Sequence, residues 1–307
     1  MLGTSPIIAL IVTYQPDLPV LAALLAAVLP QVDAVVVVDN GSKMDIASWL
    51  SGNVKGDKVH CLGLGENLGI AVAQNAGIDW AERQRAGYVL LLDQDSRPAS
   101  DMVDRLLAAA EKLTAEGNLV AVVGPRHEDA RSRQQLPFVR LRGLRLEICK
   151  CDRSGDILPV DHVIASGSLI PMTVLAAVGG KTESLFIDYV DIEWCLRAKS
   201  LGYQTFVACN ARMAHNLGEK PVRFLGHTFS VHSPLRRYYQ FRNAVWMVRQ
   251  SWLPFGWKFA ISWKLLYKYG IYTLLARPWR THQRMMALGF WHGMRGCTGR
   301  CPLDEEG

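Results

Sequence analysis

Five short apolar runs punctuate the first part of the chain, each of strand length and without polar alternation: Ile7–Val12, Ala34–Val38, Val59–Leu64, Tyr88–Leu92 and Val120–Val123. Between them lie Leu18–Leu29, Ala71–Gln84 and Ser100–Lys112, Ala/Leu-rich and of helical period. Ser100 reads as the cap of the last of these, with Asp101 and Asp104 in its first turn. Strands bare of alternation, separated by helices, predict an α/β fold. Its sheet is mostly parallel and covered by helices on both faces.

The pattern then changes. From about 126 to 160 the chain is Arg-rich and irregular, with hairpin pieces. Asp161–Ile170 reads as a strand, Thr173–Val178 as a helix ended by Gly179 and Gly180, Asp191–Leu201 as a helix closed by Gly202, and Thr205–Ala208 as a strand. After 232 the pattern is helical. A boundary near 220 divides a catalytic body (1–220) from a basic, Trp-rich helical C-terminal region (221–307). With 307 residues, half apolar and a fifth charged, the chain is a folded one, and disorder is excluded.

Charge alters the picture chiefly by where it sits. The net +6 conceals a stretch from Lys220 to Arg300 with 14 Lys and Arg, no acid, and six of the nine Trp. Such a segment suits an anionic surface: lipid headgroups, nucleic acid or a diphosphate. A merely solvated basic subdomain is the plainer account. Leu253–Ala276, the most apolar long stretch, is broken by Lys258, Lys264 and Lys268, so no membrane span is expected. Within Trp252–Ala276, Trp252, Phe255, Phe259, Trp263 and Leu266 fall at helical spacing, as in a helix lying on a membrane surface. Met1–Pro6 has neither a basic n-region nor a cleavage site, so the seven Cys are expected to be reduced. Cys149-x-Cys151 and Cys297-x3-Cys301 lack the second pair that a structural zinc needs.

Ligands of open α/β sheets bind beyond the carboxyl ends of the strands. Four polar clusters follow strands here: Thr13-Tyr14-Gln15, Asp39-Asn40-Gly41-Ser42, Glu66-Asn67-Leu68-Gly69 and Asp93-Gln94-Asp95-Ser96. Together they form a nucleotide-sized rim. Neither G-x-G-x-x-G after the first strand nor G-x-x-x-x-G-K-[ST] occurs, which argues against dinucleotide and P-loop sites. Asp93 and Asp95, two apart at a strand end, face one side and offer hard oxygens to Mg2+ or Mn2+. In "LFIDYVDIEWCLRAKSLGY" three acids, Asp188, Asp191 and Glu193, crowd a helix entry, where the helix dipole favours ionised carboxylates. Capping explains one of them; a general base facing a hydroxyl explains more.

The stretches "IIALIVTYQPD", "VVVVDNGS", "ENLGIAVAQNAGI", "VLLLDQDS", "ASGSLI" and "FIDYVDIEWCLRA...MAHNLG" resemble, in this order, the inverting nucleotide-sugar glycosyltransferases of family 2, which have the GT-A fold. "LLLDQDSRP", "FIDYVDIEWCLRA" and "PLRRYYQFRN" are similar to bacterial L-rhamnosyltransferases of O-antigen, core or rhamnolipid synthesis. The resemblance implies a Rossmann-like GT-A body, dTDP-L-rhamnose as donor, and a glycan or lipid-linked acceptor. It implies a nucleotide subsite of Thr13, Tyr14, Asp39, Asn67, Asn75, Asp93 and Gln94, and a metal held by Asp93, Asp95 and His215. It also implies Asp191 as base, with Glu193 as second candidate and Asp188 beside them. Arg236, Arg237 and Arg242 then face a donor diphosphate or an acceptor lipid phosphate. Equally, they could belong to an amphipathic helix packed on the body.

Other donors, UDP-galactofuranose or a UDP-hexose, fit the same residues. A non-catalytic nucleic-acid or membrane-binding protein would explain the charge, but no nucleic-acid module is recognisable, and none is expected as partner. The expected place of action is the cytoplasmic face of the inner membrane, held peripherally by its anionic surface.

Overall fold

A computed structural model describes residues 5–129, 135–215, 221–224, 227–230, 233–275 and 278–304. The central sheet opens with β1 (Ile7–Thr13), β2 (Ala34–Asp39), β3 (Val59–Gly63) and β4 (Tyr88–Asp93), interleaved with α1 (Leu18–Val28), α2 (Ile46–Asn53) and α3 (Ile70–Arg83). β5 (Arg97–Pro98), α4 (Met102–Ala115) and β6 (Val120–Asp129) follow. A hairpin of β7 (Phe138–Arg142) and β8 (Arg145–Cys149) precedes β9 (Ile157–Val160), β10 (Ser168–Pro171), α5 (Met172–Val178), α6 (Val190–Ser200) and β11 (Gln204–His215). The chain ends in a hairpin, β12 (Pro221–Phe224) and β13 (His227–Ser230), and three helices: α7 (Pro234–Val248), α8 (Phe255–Leu275) and α9 (Trp279–Arg295).

The order is β3-β2-β1-β4-β10-β6-β11-β5, with β9 on β11. β1 to β4 pair in parallel, β6 and β11 are parallel, and β10 runs antiparallel between β4 and β6. Register brings Thr13 opposite Asp39 and Val12 opposite Asp93, so three strands deliver polar residues to one rim. The odd and even residues of β1 enter two separate cores: Ile7, Ala9 and Ile11 pack with α1 and α4, and Ile8, Leu10 and Val12 with α3 and α5. Burial on both faces is why the strands show no polar alternation.

Three expectations are corrected. The helix after β5 begins at Met102 with Asp101 at its cap position, and Ser100 does not cap it. Asp161–Ile170 is not one strand. Asp161 is buried, accepts from Leu141 N and Trp257 Nε1 at 2.9 Å each and pairs with Lys199, which draws the chain out of the sheet until Ser168. The reduced-thiol expectation fails at one pair, because a disulfide joins Cys151 to Cys209, 58 residues apart. Spacing gave no sign of it, since the fold alone brings their Cα atoms to 5.5 Å. Unforeseen was α2, whose inward side is only Ile46 and Leu50 and whose start is fixed by Asp45 accepting from Ser48 N.

The C-terminal helices pack on the body. Leu196 of α6 shares a core with Ala244 and Met247 of α7 and Trp257 and Ile261 of α8. Ser233 caps α7 by accepting from Arg236 N. Among the described residues no helix is long and apolar enough to cross a membrane.

Candidate active site

The polar rim at the ends of β1, β2 and β4 is a hydrogen-bonded lattice. Asp39 Oδ1 accepts from Thr13 Oγ1 at 3.0 Å and Ser42 Oγ at 2.5 Å, and Asp39 Oδ2 accepts from Ser42 N at 3.0 Å. Gln94 Oε1 accepts from Tyr14 N at 2.9 Å. Asn40 donates to Asn67 Oδ1 at 3.0 Å and accepts from Leu68 N at 2.9 Å. Thr13, Tyr14, Asp39, Asn67 and Gln94 are thereby brought together and fixed. Asn75 is not with them. Its amide accepts from Lys181 N at 2.7 Å and donates to Lys181 O and Glu183 Oε1 at 2.9 Å each, which ties α3 to the loop before α6.

The reacting side is a cluster of carboxylates. Burial, with Asp191 and Asp95 facing it, pushes Asp93 up to about 7, while Arg236 pulls the other way. Carboxylates crowded against only Arg236 and Lys181 form a site that a hard cation would relieve. Two contacts tie the loop after β4 to Asp191. Ser96 Oγ and Ser166 Oγ, both buried, lie 2.6 Å apart, and Ala165 N donates to Asp191 Oδ2 at 3.0 Å. Asp191 Oδ1 is buried without a hydrogen-bond partner among the described residues, with Lys181 Nζ 3.7 Å away. Lys181 also lies over the Trp194 ring at 4.7 Å. No periodicity marked Lys181; only the fold brings it to Asp191.

Asp191 is delivered by a strained loop. Phe186, Asp188 and Tyr189 all have φ between +63° and +67°, a conformation that costs non-glycine residues ~1–3 kcal/mol each. The strain is held from α7. The Asn243 side-chain amide donates to the carbonyls of Leu185, Ile187 and Asp188 at 2.8–2.9 Å. Arg242 donates to those of Ser184, Leu185 and Gly299. Phe186 stacks on Tyr239 at 5.1 Å, and Ile70 N donates to Phe186 O at 2.8 Å. Gly69 sits where this loop crosses α3: at φ +92°, a Cβ there would lie 2.6 Å from the Phe186 ring.

The remaining candidates separate. Arg236 donates to both oxygens of Asp188 at 3.2 and 3.4 Å beside the carboxylates. Arg242 is buried and occupied by loop carbonyls, while Arg237 is buried over the Tyr272 ring at 3.5 Å and donates to Gln240 at 2.8 Å. Glu193 is buried and holds Arg197, one turn along α6, through both oxygens at 2.7 and 3.2 Å. These geometries make Glu193 and Arg242 parts of the scaffold. His215 ends β11, and its side chain lies outside the described residues.

The model of the family described as "Glycosyl transferase family 2" matches residues 8–169. A dTDP-rhamnosyl transferase of Shigella flexneri, RfbF, is 35% identical over 252 residues, covering 81% of this chain and 82% of that protein. The galactofuranosyltransferase GlfT1 of Mycolicibacterium smegmatis is 28% identical over 287 residues, covering 85% and 92%. Among solved structures, the mannosyltransferase PcManGT of Pyrobaculum calidifontis, in complex with GDP-Man and Mn2+, superposes with a TM-score of 0.55 at 16% identity, covering 95% and 88%. The architecture seen here, a curled mixed sheet with helices on both faces, is the GT-A fold that the motifs implied.

Proposed function

The chain belongs to glycosyl transferase family 2, and from that premise we propose that it is an inverting transferase that moves L-rhamnose from dTDP-L-rhamnose to a hydroxyl of a cell-surface glycan or lipid-linked acceptor. The observation that carries the mechanism is the meeting of Asp93, Asp95 and Asp191 beside a nucleotide-sized polar rim. The 35% identity to a dTDP-rhamnosyl transferase supports the sugar.

In this reading residues 1–220 are the catalytic domain, with the nucleotide-sugar and acceptor subsites, and residues 221–307 are a basic, Trp-rich helical region packed against it. Asp39, Thr13, Tyr14, Asn67 and Gln94 hold the nucleoside. Asp93 and Asp95 hold Mg2+ or Mn2+, with His215 as third ligand by family resemblance. Among the described residues no three His, Cys, Asp or Glu form a metal cage. That suits an ion which completes its shell with water and substrate phosphates. When bound, such an ion neutralises charge on the departing diphosphate. Asp191 does the proton work. Its Oδ1 is buried beside Lys181 Nζ, and Oδ2, oriented by Ala165 N, is left to take the acceptor's hydroxyl proton. The acceptor oxygen attacks C1 of the sugar, and the C1–O bond breaks with its electron pair passing to the nucleoside diphosphate. One displacement inverts C1, so a β-linked donor gives an α-L-rhamnoside.

A second reading changes only the donor, to UDP-galactofuranose or a UDP-hexose, and the 28% identity to GlfT1 favours the first of these. The test of both is a donor screen. dTDP-rhamnose, UDP-galactofuranose, UDP-hexoses and GDP-sugars are compared with Mg2+ or Mn2+ by nucleotide diphosphate release. The largest release is expected from dTDP-rhamnose, with loss in EDTA. Preference for UDP-galactofuranose would replace the sugar, and full turnover in EDTA would remove the metal.

The protein acts, in this reading, on the cytoplasmic face of the inner membrane, without crossing it. Phe255, Phe259, Trp263 and Leu266 form one outward stripe of α8, with Trp263 65% and Leu266 68% exposed. A stripe of large aromatic and aliphatic side chains in solvent suits a headgroup interface.

A further inference from the structure

Between α5 and the loop that delivers Asp191, the four residues Val178–Lys181 are gripped from two other helices. Trp194 Nε1 of α6 donates to Gly179 O at 2.8 Å. Arg197, also of α6, donates to Val178 O and to Gly180 O, the latter at 2.7 Å. Asn75 of α3 donates to Lys181 O at 2.9 Å and accepts from Lys181 N at 2.7 Å. Four successive carbonyls are thus satisfied by side chains, where a surface loop would leave them to water. The fit is close, since a Cβ on Gly180 would lie 2.7 Å from Asn75 Oδ1.

What the gripped segment delivers is a cation. The Lys181 side chain is 2% exposed, and its Nζ stands 3.7 Å from Asp191 Oδ1 and 4.7 Å from the centroid of the Trp194 ring. Among the described residues no other acid pairs with it. Asp191 and Trp194, three residues apart, share one face of α6, so that helix supplies both the anion and the ring that the ammonium meets. A buried ion pair is weak evidence for stability, because an apolar side chain of similar volume commonly serves the fold as well. At this burial the ammonium is out of reach of any donor or acceptor, so it acts on Asp191. There it completes a pair of restraints. Ala165 N holds Oδ2 at 3.0 Å, and Lys181 draws on Oδ1. A carboxylate held at one oxygen turns freely about its broad last torsion; held at both, it keeps one plane.

We propose that Lys181 is a positioning residue for the transfer, which holds Oδ1 of Asp191 so that Oδ2 is presented to the acceptor hydroxyl, and that Asn75, Trp194 and Arg197 act through it by fixing the segment that carries it. The proposal rests on the reading of Asp191 as the base.

The test is a double-mutant cycle on the full chain, with Lys181→Met, Asp191→Asn and both together. Turnover and donor KM are read by nucleotide diphosphate release from the donor that gives the largest release, and stability by denaturant titration. Lys181→Met is expected to lower the turnover number about tenfold, within the range of couplings between residues in contact, with donor KM unchanged. Added to Asp191→Asn, it should cost no further turnover. The effects of the two changes on the unfolding midpoint should likewise fail to add, a readout that needs neither donor nor acceptor. If Lys181→Met does not fold, Lys181→Gln, which keeps a polar head, is read in its place. Full turnover in Lys181→Met beside an inactive Asp191→Asn would overturn the proposal and leave the base where it is. Equal losses in both backgrounds, with additive midpoints, would overturn it by making Lys181 scaffold. A rise in donor KM at unchanged turnover would overturn it by giving the cation to the donor. Full turnover in Asp191→Asn would remove the base, and this role with it.

Discussion

The two halves of the site are held in different ways. At the strand-end rim, Thr13, Asp39 and Asp93 stand at the ends of adjacent parallel strands, and their bonds run among residues of the same rim. In the carboxylate cluster, Asp191 follows a loop with three non-glycine residues at positive φ, clamped by Arg242 and Asn243 more than 50 positions further along the chain. A sheet makes its rim as a by-product of folding; the loop keeps its shape only while α7 grips it. Perturbing the C-terminal helices should therefore damage turnover while sparing donor binding.

The sharpest break should come from Asp191→Asn, which keeps shape and removes basicity. Turnover is expected to fall ~10²–10⁴-fold with donor affinity nearly unchanged, measured by steady-state kinetics and dTDP titration. Glu193→Gln is the control. Breaking its buried pair with Arg197 should destabilise the protein by about 3–5 kcal/mol in a denaturant titration, with near-normal turnover in the folded fraction. A dead but stable Glu193→Gln enzyme would move the base there.

Asn243→Ala tests the clamp directly. The carbonyls of Ile187 and Asp188 lose this donor, at roughly 1–3 kcal/mol for each group left unsatisfied, while that of Leu185 keeps Arg242. Turnover should fall by up to about 100-fold as the loop drifts, because misplacement of about 1 Å suffices for that. Donor KM rising in step with the fall in turnover would show that the halves are not separately held. The converse change, Asp39→Asn, should raise donor KM about tenfold and leave the turnover number alone.

Smaller effects concern the C-terminal surface. Replacing Phe259, Trp263 and Leu266 by Ser should abolish flotation with anionic vesicles. Equal recovery of the unmodified protein with and without vesicles at low salt would end the membrane assignment.

The alternation of apolar runs with helical stretches determined the α/β class and the chemistry of the rim, because strand ends in such a sheet must present their polar followers together. Motif order determined the family. The sequence did not reveal that Asn75 ties α3 to a loop, that Glu193 serves Arg197, or that Lys181 meets Asp191. Nor did it reveal which arginine of α7 reaches the site. Helical spacing gives the angle between Arg236, Arg237 and Arg242 but not the absolute direction, and packing against Phe186, Tyr272 and the loop carbonyls sets it. The same holds for α8, where pattern showed an amphipathic helix and only the docking on α6 and α7 decided that Trp257 and Ile261 turn inward and the stripe of Phe255, Phe259, Trp263 and Leu266 outward. Periodicity is a local property of the chain, but the partner that each face meets is set by contacts between residues far apart in sequence.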